Sequence, residues 1–306
     1  MNKNKGILLV LATALISGFS IFLNKFAVKM NSPYLFAGLK NLVVGVFFIA
    51  ITIGISKFEE FRRLSKQDWL KLLFIGLIGG AIPFILFFQG LTVTTAASAS
   101  FIHKTMFIWV GLLAVRFLKE KLNKNLWIAI LAILFGNVLL LKVSNISLNW
   151  GDGLIFLASL FWAVEITYAK KVLRSLSPRM VAMGRMLFGS LFIMMFLAIT
   201  GQLSTIGSLG VAQWGWIMIT SALLIGYIGT FYHGLKVVKA STATAVLALG
   251  APITVILQLV FDGKVIMKPQ WVGIALVCFG VIIYIINQLR GGAKINLSPN
   301  DQKNTN

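Results

Sequence analysis

Ten apolar runs follow one another along the chain, near residues 6–28, 33–55, 69–91, 93–117, 126–142, 153–172, 178–200, 214–235, 241–262 and 268–289. About 20 apolar residues at 1.5 Å per residue are what a helix needs to cross roughly 30 Å of hydrocarbon. The shortest run, LWIAILAILFGNVLLLK, still reaches roughly 26 Å. In lipid the backbone must satisfy its own hydrogen bonds, and successive helices do so. Composition agrees: 58% of residues are hydrophobic and only 12% charged, where a soluble domain carries roughly a quarter. The expected class is an all-α membrane protein of ten transmembrane helices. The first run, from Gly6 to Leu23, is longer than a signal-peptide core and lacks a small-residue cleavage site before Lys25, so it reads as a span that stays.

The net charge of +20 could suggest a nucleic-acid partner, but its placement excludes one. Nineteen Lys and Arg fall in the terminus and loops of one side, against Lys29, Lys142, Lys264 and Lys268 on the other. Such a bias orients spans, and it puts both termini of a multi-pass cell-membrane protein in the cytoplasm. Cys278, the one cysteine, lies inside an apolar run, so no intrachain disulfide can form. The segment 290–306, RGGAKINLSPNDQKNTN, is polar and reads as a disordered cytoplasmic tail.

Sliding the chain by 145 residues brings Gly6 onto Gly151, Lys25 onto Lys170, Ser32-Pro33 onto Ser177-Pro178, Lys40 onto Arg185 and Trp69 onto Trp214. With the offset reduced by one, Gly90-Leu91 falls on Gly234-Leu235, Trp127 on Trp271 and Phe135-Gly136 on Phe279-Gly280. The matched Gly, Pro, Trp and cations point to a duplicated five-span unit, 1–145 and 146–289. Five is odd, so the second copy enters the membrane from the opposite face. Inverted repeats of this kind are a design of secondary transporters, with the substrate between the halves near the midplane.

This arrangement resembles the EamA family of the drug/metabolite transporter superfamily. The resemblance rests on the small or aromatic pairs Ser17-Gly18 and Trp162-Ala163 and on the basic residues Lys40 and Arg185 after each Ser-Pro. It rests also on the Lys119-Glu120-Lys121-Leu122 end of span four. It implies two five-helix repeats, with the hairpins 3–4 and 8–9 as gates at opposite faces. The chain departs from the family pattern where Phe107 or Ile108 replaces a proline that the second half keeps as Pro252. It departs again where Asp262-Gly263-Lys264 replaces the Glu-Arg-Leu-like end.

Polar groups deep in the spans are the candidate substrate-binding residues. Lys104 lies about eleven residues into span four, roughly 16 Å deep and beyond snorkelling reach. Its helix face carries Ala97, Ser100 and Gly111, small residues that suit a cavity. The alternative is that Lys104 neutralises a buried carboxylate. His103, on an apolar stripe, is a structural histidine or a proton carrier. Glu165 is the one deep carboxylate, with Phe161, Trp162 and Tyr168 as an aromatic wall. Arg185 lies at a similar depth, about seven residues or roughly 10 Å from the same end, so an ion pair fits. A proton or a substrate amine on Glu165 is the functional alternative. Lys40, roughly 10 Å from the outer surface, can snorkel or line the site, whereas Lys25 reads as an interfacial anchor. Asn24, Asn41, Gln89, Asn137, His233 and Gln258 are polar linings or interhelical hydrogen bonders.

The leading expectation is a secondary transporter, taken as an exporter, of small organic metabolites such as amino acids or carboxylates. The excess of deep cations over carboxylates favours an anionic ligand, and an amino acid would also use Glu165. A channel or facilitator is the alternative. An intramembrane enzyme is less favoured, since two histidines and one deep acid assemble no metal site. No cofactor is called for. The expected partners are a small-molecule substrate and the lipid bilayer, with a homodimer left open.

Overall fold

The computed structural model describes residues 2–29, 32–56, 58–121, 123–140 and 149–293. Lys57, Leu122, Lys142 and the tail from 294 onward, with Lys294 and Lys303, lie outside them. Every regular element among the described residues is helical. In chain order these are α1 Lys3–Lys29, α2 Pro33–Ser56, α3 Glu59–Arg62 and α4 Lys66–Ile75. A π-helical turn, Gly76–Ala81, joins α4 to α5 Ile82–Val93. Then come α6 Ala96–Lys104, α7 Met106–Leu118, α8 Lys124–Leu140, α9 Trp150–Val172 and α10 Pro178–Ile199. A 3₁₀ segment, Gln202–Ser208, precedes α11 Val211–Val237, α12 Ala240–Leu247, α13 Gly250–Asp262 and α14 Lys268–Ala293.

Nine continuous helical stretches among the described residues are long and apolar enough to cross a membrane, counting α4–α5, α6–α7 and α12–α13 as one each. The predicted fifth span falls on α8, which is apolar and has 17 described residues. The last helix, α14, continues to Ala293, past the span end expected at 289.

Local sequence sets where helices start and stop. Ser65 and Asp68 form a reciprocal capping box at α4, and Asn149 and Asp152 form another at α9. Ser177 caps α10 with Pro178 at its first turn, where a missing N–H costs nothing. At their C-termini α7 and α13 turn through left-handed residues, Lys119 (φ 57°) and Gly263 (φ 64°).

Four helix pairs make up most of the bundle: α2 on α10, α8 on α14, α1 on α11 and α5 on α9. Small residues let the backbones cross closely. A methyl group added to Gly90 of α5 would stand 2.6 Å from the Gly151 carbonyl oxygen of α9, and one on Gly234 of α11 would stand 3.0 Å from that of Gly6 on α1.

Two spans break near their middles. In α6–α7 the break is at Thr105, whose N–H and hydroxyl both turn back to the Ile102 carbonyl, at 3.1 and 2.7 Å. In α12–α13 it falls at Ala248 and Leu249, just before Pro252. The first break thus needs no proline.

Candidate functional site

A proline and two glycines create the polar framework of the interior. Pro83 has no N–H to give to the carbonyl four residues earlier, that of Gly79, and the π-helical turn widens the backbone at that point. The freed Gly79 carbonyl accepts from Trp162 Nε1 at 2.9 Å and Arg185 Nε at 3.2 Å. Its neighbour, the Gly80 carbonyl, accepts from Asn41 Nδ2 at 2.7 Å. A side chain at Gly79 would collide with that of Glu165, and one at Gly80 with the Arg185 backbone.

On this framework Arg185 of α10 meets Glu165 of α9, with Nη1 3.4 Å from Oε2. The Tyr232 hydroxyl of α11 donates to Glu165 Oε1 at 2.5 Å and accepts from Arg185 Nη1 at 3.2 Å. The expected ion pair is therefore present and fully buried. Its aromatic surround differs from expectation. Tyr168 turns away to pack edge-on against Phe74, with ring centroids 5.2 Å apart, and Tyr232 takes the place beside the carboxylate.

Arg185 also faces a cavity between the helices. Ser17, Asn24 and Lys40 line one part, Phe84, Phe87 and Phe88 another, and His103, Trp162 and Tyr227 a third, with Ile21 among the other lining residues. Its empty space is about 610 Å³ counting the part open to solvent, of which only about 70 Å³ admits the centre of a water molecule. That is room for roughly five waters at about 10–15 Å³ each.

Lys40 does not snorkel. It is 1% exposed, its ammonium donates to Asn24 Oδ1 at 2.8 Å, and Asn24 Nδ2 donates in turn to Ser20 Oγ at 3.2 Å. The Phe36 and Phe88 rings lie 5.4 Å from the charge. Among the described residues no carboxylate reaches it. His103 stands edge-on to Trp162, with ring centroids 4.9 Å apart, and to Phe87 at 5.6 Å. Its buried Nδ1 has no hydrogen-bond partner among the described residues.

Lys104 departs from expectation. It does not line the cavity. The amine, 2% exposed, donates to Ser17 Oγ of α1 at 2.6 Å and lies against Gly250 at the start of α13. Ser100, on the same face, reaches Thr254 at 3.5 Å. On that face Ser100 packs toward α13, whereas a methyl added at Gly111 would meet nothing within 4 Å, and no carboxylate neutralises Lys104 among the described residues. Gln258 is buried in α13 outside the cavity. Of the other polar candidates, Asn137 and His233 bond carbonyls of their own helices, and only Asn24 lines the cavity. Lys25 is half-buried near its helix end.

Charged groups also hold the short α11–α12 connection. Glu120 accepts from the Ala240 and Ser241 N–H groups at 2.7 and 3.2 Å, and from Ser241 Oγ at 2.5 Å. Lys170 donates to the Leu235 and Val238 carbonyls, both at 2.6 Å. At the same end Glu60 accepts from Ser177 Oγ at 2.5 Å and pairs with Arg179. Burial pushes the Glu60 carboxyl up, but those two hydrogen bonds and the charges of Arg179 and Lys236 outweigh it and hold it below its usual range.

Residue-by-residue reading of the sequence missed Tyr232, Tyr227, Ser17 and the Gly79 carbonyl. For the last a signal existed: a proline in a span, three residues after a glycine pair.

Known proteins share this architecture. The profile of the EamA-like transporter family matches residues 4–142 and again 149–286. The uncharacterized transporter YetK of Bacillus subtilis is 24% identical over 304 residues, covering 94% of this chain and 89% of that protein. The riboflavin transporter ImpX of Fusobacterium nucleatum is 26% identical, covering 92% and 97%. A solved crystal structure of a protein 16% identical superposes with a TM-score of 0.73 over 93% of this chain and 97% of the other, a likeness of fold. With both matched segments together spanning most of its length, the chain belongs to the EamA-like transporter family and is a membrane-embedded transporter.

Proposed function

We propose that the protein carries small organic anions, carboxylates or amino acids engaging through their carboxylate, by alternating access through the cavity lined by Lys40 and Arg185. One observation carries this reading. Two cationic side chains face the cavity, and among the described residues the only carboxylate beside them, Glu165, is already engaged by Arg185. Lys40 offers the ligand a charge that no carboxylate among the described residues balances. Trp162, Phe84 and Phe87 supply an apolar wall, and His103 Nδ1 an unused hydrogen-bonding atom.

In this reading α8 is the fifth of ten spans, and the halves 1–145 and 146–289 are inverted repeats. The packing supports it. The Gly6–Gly234 crossing maps onto Gly151–Gly90 when the halves are exchanged, and Gly136 against Gly273 maps onto Gly280 against Ala129. The left-handed ends at Lys119 and Gly263 correspond in the same way. Both termini face the cytoplasm, on the strength of the loop charges, and export is the direction proposed.

Uptake by reconstituted vesicles tests the reading, with labelled L-lactate, succinate, L-glutamate, L-alanine and riboflavin. Riboflavin belongs in the panel because it is named for the Fusobacterium relative and the cavity walls are aromatic. Saturable flux of one or more carboxylates, lost in Arg185→Met, is expected. Carriage of uncharged solutes alone would refute it.

A further inference from the structure

Resting on the anionic-ligand reading above, we infer that the carrier works as an exchanger, reorienting readily only when a substrate carboxylate covers the Lys40 ammonium. The three deep cations differ in what they require. Arg185 already has Glu165 and Tyr232 as partners within the protein. Lys104 does not line the cavity; its amine is held one layer back, on the hydroxyl of the lining residue Ser17. Among the described residues Lys40 is the cation that lines the cavity with only neutral partners, the Asn24 amide oxygen and the Phe36 and Phe88 rings.

While the cavity is open, water screens that charge. Alternating access passes through a state closed at both ends, in which the water available to Lys40 is reduced to what the narrow cavity holds. An ammonium taken into such a space without an opposite charge is strongly disfavoured, and a carboxylate beside it removes most of the penalty. The loaded carrier therefore crosses easily and the empty one does not. An anion delivered on one side is replaced by an anion carried back, and no net charge moves when the two bear equal charge.

Vesicles containing the purified protein decide this. They are filled either with buffer or with an equimolar pool of L-lactate, succinate, L-glutamate and L-alanine, and entry of the same labelled pool is followed. Entry into pool-filled vesicles should exceed entry into empty ones at least tenfold. In Lys40→Gln the two rates should come within about twofold, because the empty carrier no longer buries a bare charge and the loaded one loses the cation that covers the carboxylate. Lys40→Arg should keep the gap. Equal rates for the wild type would overturn exchange while leaving the anion site standing. A gap unchanged in Lys40→Gln would overturn the role of Lys40. No entry under any condition would overturn the anion reading itself, and this inference with it.

Discussion

Arg185 and Glu165 meet 3.4 Å apart in the interior with the Tyr232 hydroxyl bonded to both. Tyr232→Phe removes the bridge and leaves a carboxylate oxygen short of a donor, a cost of about 1–3 kcal/mol. Glu165→Gln strips a buried guanidinium of its counter-charge, a cost of about 3–5 kcal/mol. Unfolding of the detergent-purified proteins should rank wild type above Tyr232→Phe above Glu165→Gln. Equal stability of wild type and Glu165→Gln would show that the pair contributes nothing net.

Gly79 and Gly54 make a contrast. A methyl at Gly79 collides with Glu165, whereas one at Gly54 meets nothing within 4 Å. Gly79→Ala should lower the melting temperature clearly and suppress transport. Gly54→Ala should leave transport unchanged and stability the same or higher by up to about 1 kcal/mol. Tolerance of Gly79→Ala in both assays would mean the π-helical turn does not position the pair.

Glu120 serves as a remote cap for α12, satisfying its Ala240 and Ser241 N–H groups. Loss of an N-cap costs about 0.5–2 kcal/mol. Glu120→Ala should lose stability in that range and speed proton exchange at the Ala240 and Ser241 amides. Unchanged exchange there would contradict the capping role.

Glu60 sets a pH dependence. Its folded-state value lies below the unfolded one, so its contribution is present above the unfolded value of about 4.3. It is lost as pH falls through the depressed folded value. Wild type should therefore be more stable than Glu60→Gln at neutral pH, with the difference shrinking in acid below about pH 4. A difference that holds constant down to pH 3 would count against the Ser177 and Arg179 contacts.

Hydropathy made most of the fold legible, because lipid leaves the backbone so few solutions. Counting residues from helix ends also found the Glu165–Arg185 pair, since both sit about seven residues from the same end. Depth is one coordinate, however, and azimuth is another. Lys104 is buried near the middle of the α6–α7 stretch, yet it turns toward Ser17 and Gly250 and does not line the cavity. Tyr232 comes from a helix distant in sequence and carries no local sign of its partner. The Gly79 carbonyl was hidden because a backbone acceptor appears in a sequence only through the proline that frees it.

Whether the cavity is the route of transport is tested most directly by a single cysteine at Ile21, which lines it, in a Cys278→Ser background. A membrane-impermeant thiol reagent should label Ile21→Cys from an aqueous side, and saturating amounts of a transported carboxylate should protect it. Leu15→Cys, on the exposed surface of the same helix, should show no protection. Labelling of Ile21→Cys that ignores every transported carboxylate would contradict the account.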